Sequence, residues 1–420
     1  MKLSKKSKQL ILFFIKNNNI PQIKQSIKTN SIIKILYNDI LDSYNFILSL
    51  KQSKEKYYLL TTKKIINSTQ ITKPKNFNSN SFPNLVRKHI DEVSMSEISF
   101  SVSLFNRNIK IIFIVEEDNI ELKIDIYNRY FDSILMWLYI LNQYASKQCA
   151  NSLTIYLYFT SLEKKLPDSN IHILDEINVN TAFTTTCPKD SEIVIFRQEE
   201  WFKVLIHESF HNFGLDFSDM NTYEVNKCIL SIFDVKSDVN LYESYTEFWA
   251  EIMNALFCSF VSLKNKTDIV QFLSNAEFYI NIERKYSFFQ LVKTLNFMGL
   301  QYSDLYSNSG NSEILRNHFY KEKTNVLAYY VIKTILINNY QTFLLWCKNN
   351  NLSLLQFKKT IPNQLDFCGF IKKNYKSKTM LDSINYTNKF LLHLMKKKIY
   401  KNINYKYLLN NLRMSICELG

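Results

Sequence analysis

The chain has 420 residues, of which 46% are hydrophobic and 15% aromatic, so it can bury a large core and is not a disordered tail. Only 5 glycines and 6 prolines are present, which argues against a turn-dense β fold and for long helices. The net charge of +14 would suit anionic partners such as nucleic acid. The lysines are scattered, however, and no nucleic-acid-binding module is recognisable, so a solvated basic surface is the preferred interpretation.

The cysteines and the apolar segments bear on the compartment. Seven cysteines occur without a C-x-x-C pair, and their odd number predicts free thiols in a reducing, intracellular compartment. The apolar run from Leu10 to Ile15 is too short for a signal peptide and lacks a small-residue cleavage site. No stretch reaches the ~20 apolar residues of a membrane span. We therefore expect a soluble protein that is not secreted.

The period of the hydrophobic pattern divides the chain into three regions. Residues 1–75 have apolar positions at helical spacing and form a predicted N-terminal helical region, followed by a polar stretch, 72–82, that predicts a linker. Residues 85–260 form a predicted α+β subdomain, and residues 261–420 a helical C-terminal subdomain. The elements predicted in the second region are a β-hairpin at 100–104 and 111–115, a helix at 127–144, and strands at 153–159 and 192–197.

The stretch from Trp201 to Phe217, WFKVLIHESFHNFGLDF, contains the motif H-E-x-x-H at His207, Glu208 and His211. On a helix, residues four apart lie on the same face, so the two imidazoles can bind one metal ion. Glu208 lies beside that face, where a carboxylate can take a proton from water. Such a short motif also arises by chance on the polar face of an amphipathic helix, so its context has to decide.

The sequence on both sides of the motif suits an active-site helix. Upstream, Glu192 to Arg197 is rich in β-branched and aromatic residues and predicts a strand, and the acidic Glu199 and Glu200 suit a helix N-terminus. Downstream, Gly214 stands where a helix needs a left-handed C-terminal residue. We expect a strand, then the helix, then a stop at Gly214.

A third metal ligand is expected in the apolar segment from Leu241 to Phe260, because catalytic zinc usually has three protein ligands. Glu243, Glu247 and Glu251 recur there at four-residue steps and so lie on one stripe of a helix. Stacked carboxylates repel one another unless a cation lies against them. The alternative is a solvated acidic stripe, which is the usual place of charge runs on helices.

H-E-x-x-H followed by Glu243 on a second helix resembles the gluzincin group of zinc metallopeptidases, and E-S-Y-T-E-F-W-A resembles the glutamate-bearing helices of that group. The resemblance implies an α+β, zincin-like catalytic domain, with a small mixed or antiparallel sheet plus the active-site helix, followed by a mainly helical half. It implies Zn2+ held by His207, His211 and Glu243, with Glu247 supporting a histidine. Residues from about 152 to 347 also resemble uncharacterised metallopeptidase-like proteins of large DNA viruses, which would place the protein in the host cytoplasm or the virion.

Other ligand sets stay open at this stage. In a shifted frame, E-F-W-A-E, Glu247 is the ligand and Glu251 the supporting acid. An aspartate ligand, Asp216 or Asp219, is a further alternative. A metzincin would need histidine at position 217, where this chain has Phe217, so the metzincin pattern is excluded.

The resemblance implies hydrolysis of peptide bonds in a peptide or protein substrate. Zinc polarises the scissile carbonyl and activates water, while Glu208 takes up the proton and returns it to the leaving amine. A phenol can stabilise the oxyanion, and the candidates are Tyr329 and Tyr330 in TNVLAYYVIK, with Tyr330 chosen. The segment from Ala182 to Thr185 is either the edge strand that pairs with an extended substrate or an ordinary loop.

A second hypothesis comes from a different class of protein. The chain would then be a catalytically silent basic protein that keeps the zincin fold and serves as a virion or replication-associated structural or binding component. The variant Glu208→Gln separates the two hypotheses, because it abolishes cleavage by an enzyme and leaves a binding protein unchanged. The sequence does not identify the substrate or the oligomeric state.

Overall fold

The computed structural model describes residues 2–53, 57–396 and 405–420. Its centre is a six-stranded mixed sheet with the strand order β1-β2-β3-β4-β6-β5. The strands are β1 (Leu59–Lys64), β2 (Ser96–Leu104), β3 (Arg107–Val115), β4 (Ser152–Phe159), β5 (Ala182–Thr184) and β6 (Asp190–Ile195). The pairs β3–β4 and β4–β6 are parallel, and the pairs β1–β2, β2–β3 and β5–β6 are antiparallel. The predicted hairpin and central strands are confirmed, and the fold is of the α+β class.

Helices surround the sheet and make up most of the chain after residue 260, as the sequence predicts. None of the described helices is long and apolar enough to cross a lipid bilayer. The α-helices are α1 (Lys5–Asn17), α2 (Ile27–Gln52), α3 (Asn84–Val93), α4 (Ile124–Tyr144), α5 (Glu176–Val179), α6 (Trp201–Asn212), α7 (Tyr223–Leu230), α8 (Leu241–Val261), α9 (Ile269–Phe297), α10 (Gly310–Phe319), α11 (Lys333–Asn338), α12 (Tyr340–Asn350), α13 (Ile361–Asn374), α14 (Lys378–Lys396) and α15 (Tyr405–Asn410).

Both faces of the sheet are covered, because successive residues of a strand point to opposite faces. On β3, Phe113 packs into the larger core together with side chains of α4, α6 and α8, whereas Ile114 packs into a second core. Phe77 and Phe82 close this second core and are 7% and 0% exposed. The polar stretch 72–82 therefore packs on the sheet, and its prediction as a linker is wrong, since two phenylalanines anchor it.

The three regions predicted from the sequence share one hydrophobic core. Leu36 of α2, Phe257 of α8 and Phe288 of α9 belong to the same buried cluster. The region 1–75 is also not purely helical, because β1 pairs with β2 at the edge of the sheet. Almost all of β1 is exposed, so no alternation of apolar and polar residues marks this strand in the sequence.

Four of the seven cysteines form two disulfide bonds, Cys149–Cys187 and Cys228–Cys368. The first joins the loops that precede β4 and β6, and the second joins α7 to α13. The prediction of free thiols is therefore wrong for these four cysteines, whereas Cys258, Cys347 and Cys417 are free. The cysteines consequently do not indicate a reducing compartment. The partners are 38 and 140 residues apart, so a search for closely spaced cysteine pairs could not reveal them.

The C-terminal segment, residues 411–420, lies inside the molecule. Buried carboxylates bind its main chain: Glu200 accepts a hydrogen bond from the amide of Met414 at 3.0 Å, and Glu283 accepts one from the amide of Ile416, also at 3.0 Å. These hydrogen bonds compensate the burial of the backbone amides. They also fix Met414 next to the site described below.

Candidate metal centre

The motif helix α6 is buried over its whole length, which explains why most of its residues outside the motif are apolar. It ends where the sequence predicts. Gly214 has a φ of +65°, and the amide of Leu215 returns to the carbonyl of Phe210 at 2.9 Å, which closes the last helical turn. The rigid helix places His207 and His211 one turn apart on the same face.

The two motif histidines meet Glu243 of α8 at one point. Nε2 of His207 lies 3.3 Å from Nε2 of His211, and Oε2 of Glu243 lies 3.1 Å from the first nitrogen and 3.4 Å from the second. Ligand atoms that bind a tetrahedral ion at about 2.0–2.1 Å stand about 3.3 Å from one another. The three residues could therefore hold a divalent ion without rearrangement.

A buried carboxylate contacts Nδ1 of each histidine. Glu247 lies 2.9 Å from Nδ1 of His207, and Asp216 contacts Nδ1 of His211. A carboxylate accepts the hydrogen bond, so in the neutral imidazole Nδ1 carries the proton and the lone pair of Nε2 points toward Glu243, whereas in the imidazolium Nε2 also donates to Glu243. Three electron-pair donors that face one another at this spacing are stable only with a cation or protons between them.

Burial and charge act in opposite directions on these groups. Burial alone would lower the pKa of His207, but its hydrogen bonds with Glu243 and Glu247 outweigh this effect and raise the pKa. Burial alone would raise the pKa of Glu243, but His211 and His207 hold it well below its ordinary value. The cluster therefore attracts positive charge to the point where the three ligand atoms meet.

The alternative ligands considered from the sequence are engaged elsewhere. Both oxygens of Glu247 are used, one by the first motif histidine and the other by the buried ammonium of Lys203. Glu251 pairs with Lys333 at 2.7 Å, and Asp219 pairs with a lysine at 2.7 Å, away from the cluster. The geometry thus favours the frame in which Glu243 is the ligand and Glu247 the supporting acid.

Glu208 lines the cavity next to the cluster and is 8% exposed. Burial raises the pKa of its carboxyl group above the ordinary value, and His207 and His211 offset part of that rise. A carboxylate with a raised pKa is a stronger proton acceptor. Glu208 is therefore placed to act as a base beside the three ligand atoms.

Tyr329, and not Tyr330, faces the cluster. The hydroxyl of Tyr329 donates to Oε2 of Glu243 at 2.9 Å, whereas the hydroxyl of Tyr330 donates to the carbonyl of Leu412 at 2.7 Å in the interior. Burial, together with the charge of Glu243, raises the pKa of Tyr329 well above its ordinary value, so the phenol keeps its proton. The choice of Tyr330 is corrected on this ground: both tyrosines lie in the π-helical segment Leu327–Ile332, and neighbouring residues of a helix point in different directions.

A cavity of about 190 Å³ adjoins the cluster and is bordered by β5. The predicted edge strand is present at Ala182–Thr184, as the outermost strand next to β6. The amide of Phe196 bonds the carbonyl of Thr181 at 2.9 Å. Because bonded and free positions alternate along an antiparallel strand, the backbone amide and carbonyl of Ala182 point to the free edge.

Two residues that the sequence analysis did not single out line this cavity, Lys203 and Met414. Lys203 precedes His207 by four residues, so helical spacing alone could have placed it on the same face. Met414 comes from the buried C-terminal segment, and its sulfur lies 3.8 Å from the ammonium of Lys203. No local pattern connects it with the motif.

Scans against protein-family models, curated proteins and solved structures returned no match to this chain. The function of the protein therefore has to be inferred from the residues of the site.

Proposed function

We propose that the protein is a zinc-dependent metallopeptidase of the gluzincin type that hydrolyses peptide bonds in a peptide or protein. The observation that carries this proposal is the convergence of two imidazole nitrogens and one carboxylate oxygen from α6 and α8, with Glu208 beside them. Two nitrogens and one oxygen are a donor set typical of catalytic zinc, which keeps a fourth position open. A mixed sheet whose antiparallel edge strand lies next to the motif helix supports a zincin-like catalytic domain.

The roles within the ligand cluster follow from the contacts. His207, His211 and Glu243 would hold the ion, while Glu247 and Asp216 orient the two imidazoles through Nδ1. When bound, zinc supplies a Lewis acid that polarises the scissile carbonyl and lowers the pKa of water. The burial of the cluster excludes bulk water, which strengthens each of these electrostatic interactions.

The proton transfer and the stabilisation of charge fall to two other side chains. Glu208 accepts a proton from the attacking water and delivers it to the amine that leaves. The phenol of Tyr329 stays protonated and donates a hydrogen bond to the oxyanion that develops on the carbonyl. Its hydroxyl lies 2.9 Å from Glu243 and Tyr329 lines the same cavity as Glu208, so the phenol would be close to a scissile carbonyl bound in that cavity.

The substrate would bind as an added strand. The free edge of β5 offers the amide and carbonyl of Ala182 to an extended peptide, and the same cavity contains Asn325, Val204 and Met414. Main-chain hydrogen bonds with an edge strand contribute affinity that does not depend on the side chains of the substrate. This mode of binding favours an unfolded segment of a peptide or protein over a compact folded substrate.

The test of this proposal is the variant Glu208→Gln, assayed with an unbiased peptide library and measured for zinc content. We expect the variant to bind one zinc per chain, as the wild type does, because Glu208 is not one of the three proposed ligands. Its kcat should be lower by about 100-fold or more, because the amide cannot take up a proton. The exposed variant Glu224→Gln serves as the control and should keep full activity. Unchanged cleavage by Glu208→Gln would contradict the proposal, and a wild type that binds zinc but cleaves nothing would favour the catalytically silent alternative.

A further inference from the structure

A second cavity, of about 580 Å³, lies at the carboxyl ends of the parallel strands β4 and β6. Helix α3, the loop from Ser161 to Asp168 and residues 177–178 enclose it, and it shares no lining residue with the cavity of the metal centre. Ligands commonly bind outside the carboxyl ends of parallel strands, because the loops that diverge there leave a crevice. The position of the cavity is therefore that of a binding site.

Arg197, the second residue after β6, lines this cavity and is 2% exposed. Its Nη2 donates to the carbonyl of Ile177 at 2.5 Å, while its Nε is buried without a hydrogen-bond partner. No carboxylate of the described residues forms an ion pair with it. Glu199, whose charge acts on the pKa of Arg197, is itself bound by the amide of Lys164 at 2.9 Å and lies 3.7 Å from Arg413.

A buried guanidinium without a counter-ion is costly, and burial lowers the pKa of Arg197 to about 10. At neutral pH it still carries its charge. Buried arginines are normally paired with an acid, so the unpartnered Nε of Arg197 indicates that an anion completes its environment.

The other charged groups of the cavity do not supply that anion. Lys88 pairs with Glu92 at 3.8 Å in a solvated pair that contributes little. Glu163 is half-buried and already pairs with Lys6 at 2.5 Å and with Lys165 at 3.6 Å. Asp168 is exposed to solvent. The rest of the wall is polar at His89, which pairs with Glu116 at 2.7 Å, and at Ser161 and Asn178. Its apolar part consists of Leu85, Val86, Leu162, Leu166, Pro167 and Ile177.

We propose that this cavity binds a small organic acid, with Arg197 recognising the carboxylate and the apolar wall packing against the body of the acid. The planar fork of a guanidinium matches the two oxygens of a carboxylate and forms two parallel hydrogen bonds with it. The carboxylate belongs either to a free small acid or to the C-terminal end of a peptide. The site does not depend on the metal centre or on the proposed peptidase activity.

The experiment is a calorimetric titration of the full chain with benzoate and with N-acetyl-leucine, each compared with its uncharged amide. We expect both acids to bind at least tenfold more tightly than their amides, and Arg197→Lys to weaken their binding about tenfold because the fork is lost. The control Lys372→Met, at an exposed lysine of α13 outside the cavity, should change the affinity by less than twofold. Inorganic phosphate, which has no apolar body, should bind more weakly than either acid.

Two further outcomes complete the test. If N-acetyl-leucine binds more tightly than benzoate, the natural ligand is the C-terminal end of a peptide. If benzoate binds more tightly, the natural ligand is a free small acid. Either order supports the proposed site. Arg197→Met removes the unpaired charge and should abolish binding while the melting temperature is kept or raised. Equal affinity for acid and amide, no binding at millimolar concentration, or unchanged affinity of Arg197→Lys would overturn the proposal.

Discussion

The charges of the ligand cluster balance only when a cation, or a second proton on each imidazole, is counted. Glu243, Glu247 and Asp216 carry three negative charges and Lys203 carries one positive charge, so with neutral imidazoles these buried groups sum to about −2. An uncompensated buried charge of this size is strongly destabilising. A divalent ion held by His207 and its neighbours would neutralise it, which agrees with the proposed metal centre.

Tyr329 and Tyr330 form a matched pair for testing the oxyanion role. For Tyr329→Phe we expect a kcat lower by about 100-fold, the usual effect of removing one donor to an oxyanion, with little change in KM or zinc affinity. For Tyr330→Phe we expect full kcat and a loss of about 1 kcal/mol of stability, because only its hydrogen bond to Leu412 is lost. Steady-state kinetics and urea unfolding measure both, and a lower kcat in Tyr330→Phe alone would restore the choice made from the sequence.

Single residues of the site were predictable to different degrees. Helical spacing brings His207 and His211 together, and the acidic stripe on α8 indicated that Glu243 belongs with them. The sequence could not separate Tyr329 from Tyr330, because the direction of each side chain depends on the π-helical turn. It also allowed Asp216 as a ligand, whereas the turn after α6 directs its carboxylate to Nδ1 of His211.

At the level of elements, the end of α6 shapes the site. The left-handed Gly214 turns the chain back, so that Asp216 reaches the second motif histidine only two residues later. A β-carbon at Gly214 would meet only ordinary contacts, the nearest being Cys187 at 3.5 Å. The cost of a substitution there is therefore conformational.

Gly214→Ala should lower the free energy of unfolding by about 1–2 kcal/mol, because a residue with a β-carbon is strained at a φ of +65°. The matched control is Gly369→Ala. This glycine lies within α13 and is exposed, and an added β-carbon would meet nothing beyond its own helix within 4 Å, so alanine should raise the stability by about 0.5–1 kcal/mol. Urea unfolding of both variants checks the prediction, and equal effects of the two substitutions would contradict it.

Elements with a strong periodic pattern were predictable, and elements that lack one were not. A clear hydrophobic pattern, with period two in the strands and a helical period in the helix, marks the hairpin β2–β3, the helix α4 and the strands β4 and β6. These elements lie close to their predicted positions. The edge strand β1 is exposed along most of its length, so its sequence lacks the alternation of apolar and polar residues that marks a half-buried strand. The stretch 72–82 is polar except for a few anchors, and only the sheet beneath it shows that Phe77 and Phe82 are core residues.

At the level of the whole molecule, parts distant in sequence build one site. The three candidate ligands come from α6 and α8, Tyr329 from the helical half, and Met414 from the C-terminal segment. The buried hydrogen bonds of Glu200 and Glu283 hold that segment against the helices. Contacts between residues so far apart in the sequence depend on tertiary packing, as the two disulfide bonds do. The sequence pattern therefore did not reveal which distant residues meet at the site.

The measurement that tests the central claim most directly is an equilibrium zinc titration against a competing chelator. The wild type should bind one zinc per chain. Glu243→Ala should lose the ion to the chelator, while Glu247→Ala and Asp216→Ala should lose only about 10- to 100-fold in affinity, the usual effect of removing a group that orients a ligand. Complete loss of zinc in Glu247→Ala or Asp216→Ala, with zinc retained in Glu243→Ala, would contradict the assignment, and a wild type that binds no zinc would contradict the metal centre itself.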